Sequence, residues 1–220
     1  MKTVTTLAVG CLVFLTGCAS TGVDKSEAAA QSMRDLKQGL ADAPAKITAV
    51  DTSLQDVAKD GADMKATYAT FSRNVDGLIA HRDHLRALRA NVDANRETFA
   101  KAWEERMAGI QDASLRKRAS DRRDAVLAKF EDLTKTADAG KAEFEPWMKL
   151  VVDVRTYLES DLNPGGVASV NDKIKEINSG TTSVNKKIAT VVTGLDEMSK
   201  AIAATRPPPP EKSENKDEKK

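Results

Sequence analysis

The chain has 220 residues, a formal net charge of +1, 4% aromatic and 30% charged residues, and two cysteines. A near-neutral chain has no global pull toward nucleic acid. So few aromatics beside so many charges exclude a thick globular core or a strand-rich sandwich and favour long amphipathic helices.

Residues 1–17 read as a targeting segment, to be set aside before any fold reasoning. Lys2 supplies its positive charge, and residues 7–14 form an apolar run. That run is too short to cross a bilayer as a helix, which needs about 20 apolar residues. Leu15-Thr16-Gly17-Cys18 closes the run and resembles the lipobox of bacterial lipoproteins. The resemblance implies cleavage before Cys18, a diacylglyceryl group on its thiol and usually a further acyl chain on the freed amine. Two or more acyl chains anchor stably where one does not. Position 19 is Ala, not the Asp that marks inner-membrane retention in such lipoproteins of enteric-type bacteria. The expected location is therefore the outer membrane, facing the periplasm. Cys11 leaves with the signal and Cys18 carries lipid, so the mature chain has no disulfide and its fold relies on packing. Residues 18–23 are read as the lipidated linker.

A helical bundle is expected over residues 24–205. From residue 24 to 57 the apolar positions Met33, Leu36, Leu40, Ala43, Ile47, Val50, Leu54 and Val57 step by three and four, the rhythm of a coiled-coil seam. Pro44 lies inside this run and predicts a kink or a break. Gly61 then serves as a stop and Asp63 as an N-cap; one continuous helix through Gly61 is the rival reading. A second helix is expected over residues 63–110, roughly 70 Å long at ~1.5 Å per residue. Its stripe runs from Met64, Tyr68 and Phe71 to Phe99, Trp103 and Met107, with His81 and Asn95 as polar members that fix register. A turn at residues 111–114 has Asp112 or Ser114 as the next N-cap. The third helix carries its stripe from Leu115 through Val126, Phe130 and Phe144 to Leu158 and Leu162, with a kink expected near Trp147 from Pro146. Asn163-Pro164-Gly165-Gly166 is the strongest turn signal. A fourth helix follows from Val167, Val170 and Ile174 to Met198 and Ile202 in unbroken three-four steps. Its one polar member, Thr181 beside Gly180, predicts a weak or wider spot. Pro207 to Pro210 end the helix, and residues 206–220 read as a Pro-rich, charged, disordered tail.

Short turns favour antiparallel neighbours. The fold expected is all-α, an elongated up-down antiparallel bundle of three to four long coiled-coil-like helices. A monomer satisfies every stripe; a dimer through the surplus length of the central hairpin remains open.

Candidate sites are few. His81 and His84 share a helix face, but the common i, i+4 pair with a Glu is absent and no third ligand is evident, so no metal site is expected. No nucleophile-base pair and no phosphate loop stands out, so no catalytic or cofactor site is expected, and the chain reads as no enzyme. Trp103 and Trp147 read as core rather than as the lining of a ligand groove. Arg116, Lys117, Arg118, Arg122 and Arg123 form the densest charge. They read either as a solvated face paired with nearby acids or as a contact to an anionic surface, such as lipid phosphates or a partner protein.

Phe99-Ala100-Lys101-Ala102-Trp103, Ala113-Ser114-Leu115-Arg116 with Ser120, Asp153 with Tyr157-Leu158, and Asp161-Leu162-Asn163 resemble a domain-of-unknown-function family of bacterial all-helical secreted proteins and lipoproteins. The resemblance spans residues 63–202. Glu159-Ser160-Asp161 departs from it, standing where the family tends to have Lys-His-Asn. The resemblance implies architecture and location, with no assigned activity. The expected function is a non-enzymatic scaffold or adaptor, held to the membrane by lipid on Cys18 and meeting an envelope protein. The alternative is a binding module for a hydrophobic or envelope-derived ligand.

Overall fold

The structure is a computed structural model that describes residues 22–59, 61 and 63–203. The signal segment, Cys18 and residues 204–220 lie outside the described residues. Among those described, five helices and no strand are found: α1 (Gly22–Val57), α2 (Met64–Ala108), α3 (Ala113–Ser160), α4 (Pro164–Ser169) and α5 (Asn171–Ala203). They pack as an all-α bundle in which α1 lies against α2 and α5, and α3 against α5, while α2 and α3 meet over less of their length.

The caps explain where the helices begin and end. Asp63 accepts a hydrogen bond from the Ala66 amide at 3.1 Å, and Gly61 takes the left-handed φ of 71°, which costs glycine little. The chain therefore turns there, and the single continuous helix is excluded. Asp112 caps α3, accepting from the Leu115 amide at 2.9 Å, while Ser114 supports it by donating to Asp112 Oδ1 at 2.6 Å. Asn163 caps α4 by accepting from the Gly166 amide at 3.0 Å. A Cβ on Gly166 would stand 1.9 Å from the Asp161 carbonyl oxygen, so this turn requires glycine.

Three expectations are corrected. Helix α1 begins at Gly22, inside the stretch assigned to the linker, and stays helical through Pro44. Its apolar face is buried on both sides of the proline, and that burial outweighs the lost backbone bond. Helix α3 is helical on both sides of Pro146, a position read as a kink and not as an end. The fourth helix is two: the backbone at Val170 leaves helical geometry (φ −108°, ψ 7°). The tighter turn lets both Val167 and Val170 face the core, where each is 8% exposed. Finally, Gly180 is no weak spot. The Trp147 ring lies where a Cβ of Gly180 would be, 2.8 Å from it, and Trp147 Nε1 donates to the Ile177 carbonyl at 3.0 Å. The missing side chain is filled by an indole.

Two core clusters run end to end. One joins Val50, Leu54, Phe71, Trp147, Leu158 and Ile177. The other joins Met33, Phe99, Val126, Phe130, Leu195 and Ile202. The second cluster therefore gathers the start of α1, the end of α2, the start of α3 and the end of α5 at one pole. Asp196 of α5 bridges Lys37 of α1 and Lys200 of its own helix. Hydrogen bonds from Lys200 and Lys37 hold its carboxyl down at about 2, against an ordinary 3.8.

Two predictions test this packing. Trp147→Ala removes a buried indole, which costs about 3–5 kcal/mol. At about 2–4 °C per kcal/mol for a domain of this size, the thermal midpoint should fall by roughly 6–20 °C; an unchanged melt would place Trp147 outside the core. For Asp196, the depressed folded-state value means its contribution is present above the ordinary carboxylate range and lost as pH falls through about 2. Asp196→Asn should therefore melt below wild type at neutral pH, and the difference should shrink below pH ~4. A difference that is constant down to pH ~2 would contradict the bridge.

Candidate functional site

Two regions stand out: the hairpin tip and a cleft in the middle of the bundle. Register places the tip. Gly39 of α1 lies opposite Leu85 and Leu88 of α2, and Gly194 of α5 lies opposite Leu133 of α3. Counting outward from those contacts, the last turn of α2 and the first three turns of α3 outrun the ends of α1 and α5. Residues 113–118 are accordingly all exposed. Leu115, expected on the buried stripe of α3, is 54% exposed, because no α5 residue remains to cover it.

The basic stretch is on this tip, and much of it has local partners. The Arg116 guanidinium donates to the Ile110 carbonyl from Nε at 2.9 Å and from Nη2 at 2.6 Å, closing the turn. Lys117 pairs with Asp121 at 2.9 Å. Arg123 reaches Asp124 at 2.9 Å and Glu104 of α2 at 3.5 Å. Arg118 and Arg122 are exposed. Exposed pairs of this kind contribute ~0–1 kcal/mol, so Lys117 can exchange its partner for an anionic surface at little cost. Arg116 is different, since it secures backbone. Arg116→Ala should speed amide exchange over residues 109–115, a local opening, while global stability shifts by no more than about 0.5 kcal/mol. Unchanged exchange would mean the guanidinium does not hold the turn.

The cleft lies between α2 and α3. Toward one end of the bundle these helices are joined by Tyr68, whose hydroxyl donates to the Arg155 carbonyl at 3.2 Å, and by Arg155 with Asp76 at 2.6 Å. Toward the other they are joined by Arg123 and Glu104. Between these ties lies a cavity of about 420 Å³, walled by Leu85, Phe130, Leu133, Ala137, Phe144 and Ile188 among others. The volume is in the range of small-molecule sites, ~300–1,000 Å³. Across the opening Arg89 and Asp138 approach at 3.8 Å.

The rim was not found by reading for motifs. Arg82, Arg86, Arg89 and Arg96 line it from α2, with Asp138, Lys141 and Glu145 from α3. The signal was present: the four arginines step by four, three and seven, which puts them on one helix face beside the apolar stripe. His81 is also at this wall; its Nε2 lies 3.1 Å from the Gly39 carbonyl. Burial pushes its pKa down, partly offset by that hydrogen bond, so at neutral pH the uncharged ring donates from Nε2. His84 is exposed. Among the described residues no group of three or more His, Cys, Asp or Glu side chains is placed to hold a metal. Trp147 and Trp103 line neither wall: Trp147 is 6% exposed, and Trp103 packs edge-on to Phe99 at 5.2 Å. Among the described residues no helix is long and apolar enough to cross a membrane.

No curated protein and no solved structure matches the chain. The family model described as "Protein of unknown function (DUF2959)" matches residues 16–204, nearly the whole of the bundle and the segment leading into it, and the chain belongs to that family.

Proposed function

We propose that the protein is a lipid-tethered helical bundle that stands on a cell-envelope membrane with its hairpin tip at the lipid surface, and that it serves there as a non-enzymatic scaffold or adaptor. The observation that carries this reading is the shared pole. Helix α1 starts at Gly22, four residues after Cys18, a span of at most ~14 Å when extended. The tip outruns α5 at that same pole by about 16 Å along α3, and α1 by one turn of α2, about 7 Å, at ~1.5 Å per residue. A lipid on Cys18 therefore brings the tip to the membrane. The tip pairs an exposed leucine with basic side chains, a composition suited to an anionic interface, where each basic residue contributes about 1 kcal/mol within a Debye length. The rest of the bundle projects away from the membrane, and its far pole is free to meet an envelope protein.

The test is fractionation of intact cells. The wild-type chain should sediment with the outer membrane, and Cys18→Ser should yield an unprocessed, slower-migrating or soluble form. A Cys18→Ser variant that sediments with membranes at wild-type mass would contradict the anchor. A second reading, a binding module for a hydrophobic or envelope-derived ligand, is favoured by one observation: the apolar cavity between α2 and α3.

A further inference from the structure

We propose that this cleft binds the anion of a long-chain fatty acid, its carboxylate held by Arg96 and Arg89 and its acyl chain lying along Leu85, Leu133 and Phe144. The proposal rests on the second reading above and specifies its ligand. Shape argues first. The lining residues on α2 run from Leu78 to Arg96, about 27 Å at ~1.5 Å per residue. One acyl chain occupies half of a bilayer's ~30 Å hydrocarbon core, or about 15 Å. A slot of this length and of about 420 Å³ takes one chain and its head group and is too small for a two-tailed lipid.

Charge argues second. The opening carries five cations, Arg82, Arg86, Arg89, Arg96 and Lys141. Four carboxylates answer them. Asp83 is shared by Arg82 and Arg86 at 3.0 and 3.1 Å. Asp93 takes Arg89 at 3.2 Å, with Asp138 at 3.8 Å beyond it. Glu145 takes Lys141 at 3.6 Å. Arg96 forms no ion pair within 4.0 Å among the described residues; the acid beside it, Glu97, feels its charge but is held by Lys101 at 2.7 Å, so one positive charge is left over at the opening. The excess matches a monoanion. Arginine is also the side chain whose planar fork binds a carboxylate through two parallel hydrogen bonds. Arg89 lies two turns away on the same face; its pairs with Asp93 at 3.2 Å and Asp138 at 3.8 Å are exposed and cost little to exchange, so it can turn toward the same head group.

Direction follows. Arg96 is at the end of the cleft nearer the hairpin pole, so the chain must run toward Leu85, Phe144 and Ile188. An extended tail of ~15 Å covers about ten residues of α2, which puts its terminus at the level of Leu85.

The experiment uses the full chain in its own membranes and palmitate carrying a diazirine at the far end of its tail. After illumination, mass spectrometry of the peptides locates the label. The expected label falls on Leu85, Phe144 or Ile188. Unlabelled palmitate should compete at least about tenfold better than hexadecanol, because a hydrogen bond to a charged group contributes that much or more. Arg89→Gln with Arg96→Gln should raise half-saturation by about tenfold or more, with the helical melt unchanged. Labelling that hexadecanol suppresses equally well, and that the double variant leaves untouched, overturns the anion assignment while leaving an apolar site. Label absent from the cleft, or spread evenly along the chain, overturns both the proposal and the binding-module reading.

Discussion

Close approach of helix pairs over glycine is the constraint on which the rest of the bundle depends. Gly39 leaves room for Leu85 and Leu88, Gly194 for Leu133 and Gly180 for Trp147, and at each a Cβ would stand within 2.9 Å of the facing side chain. These notches draw α1 onto α2 and α5 onto α3. Helix α1 also packs closely along α5 without such a notch, while α2 and α3 meet least. The middle of the α2–α3 seam has no such notch. There Leu85, Leu133 and Phe144 line the cavity between the helices.

A second consequence follows from length. Helices α2 and α3 have 45 and 48 residues, against 36 in α1 and 33 in α5. The surplus cannot be covered by α1 or α5, so it emerges as a two-helix tip at one pole. Its turn is held from within, by the Asp112 cap and by Arg116 on the Ile110 carbonyl, rather than by packing from neighbours. That leaves Leu115 and the basic side chains facing outward with no structural duty to a core.

The helices and most caps were legible in the sequence because a three-four apolar rhythm and an Asx cap each have a local cause. Asp63 caps as read, Asp112 is the cap of the two residues read for α3, and the turn read at residues 163–166 opens α4, while the stripe of α5 is buried at Ile174, Ile177, Val184, Leu195 and Ile202. The split at Val170 was not legible, because the apolar step continues across it and only backbone angles record the change. Nor was the absence of a break at Pro44, where α1 stays helical with its apolar face buried on both sides. Leu115 was misread as core because periodicity reports which face a residue is on, not whether another helix reaches that far. The cleft escaped for a related reason. Leu85, Leu133, Ala137, Phe144 and Ile188 sit on proper stripes, and the half-buried state that marks them as a wall depends on distances between helices that no single stripe encodes.

The proposed orientation of the bundle on a membrane joins these strands, since the start of α1, the tip and the Arg96 end of the cleft all lie toward one pole. It is tested most directly by depth measurement on the lipidated full chain, with single spin labels introduced by Ala113→Cys at the tip and by Ala168→Cys in the far turn. Both positions are exposed, and α3 alone separates them by about 70 Å at ~1.5 Å per residue. The account predicts strong relaxation of the Ala113→Cys label by a paramagnetic ion fixed to lipid head groups and none at Ala168→Cys. Equal relaxation at both, or the reverse order, would contradict it.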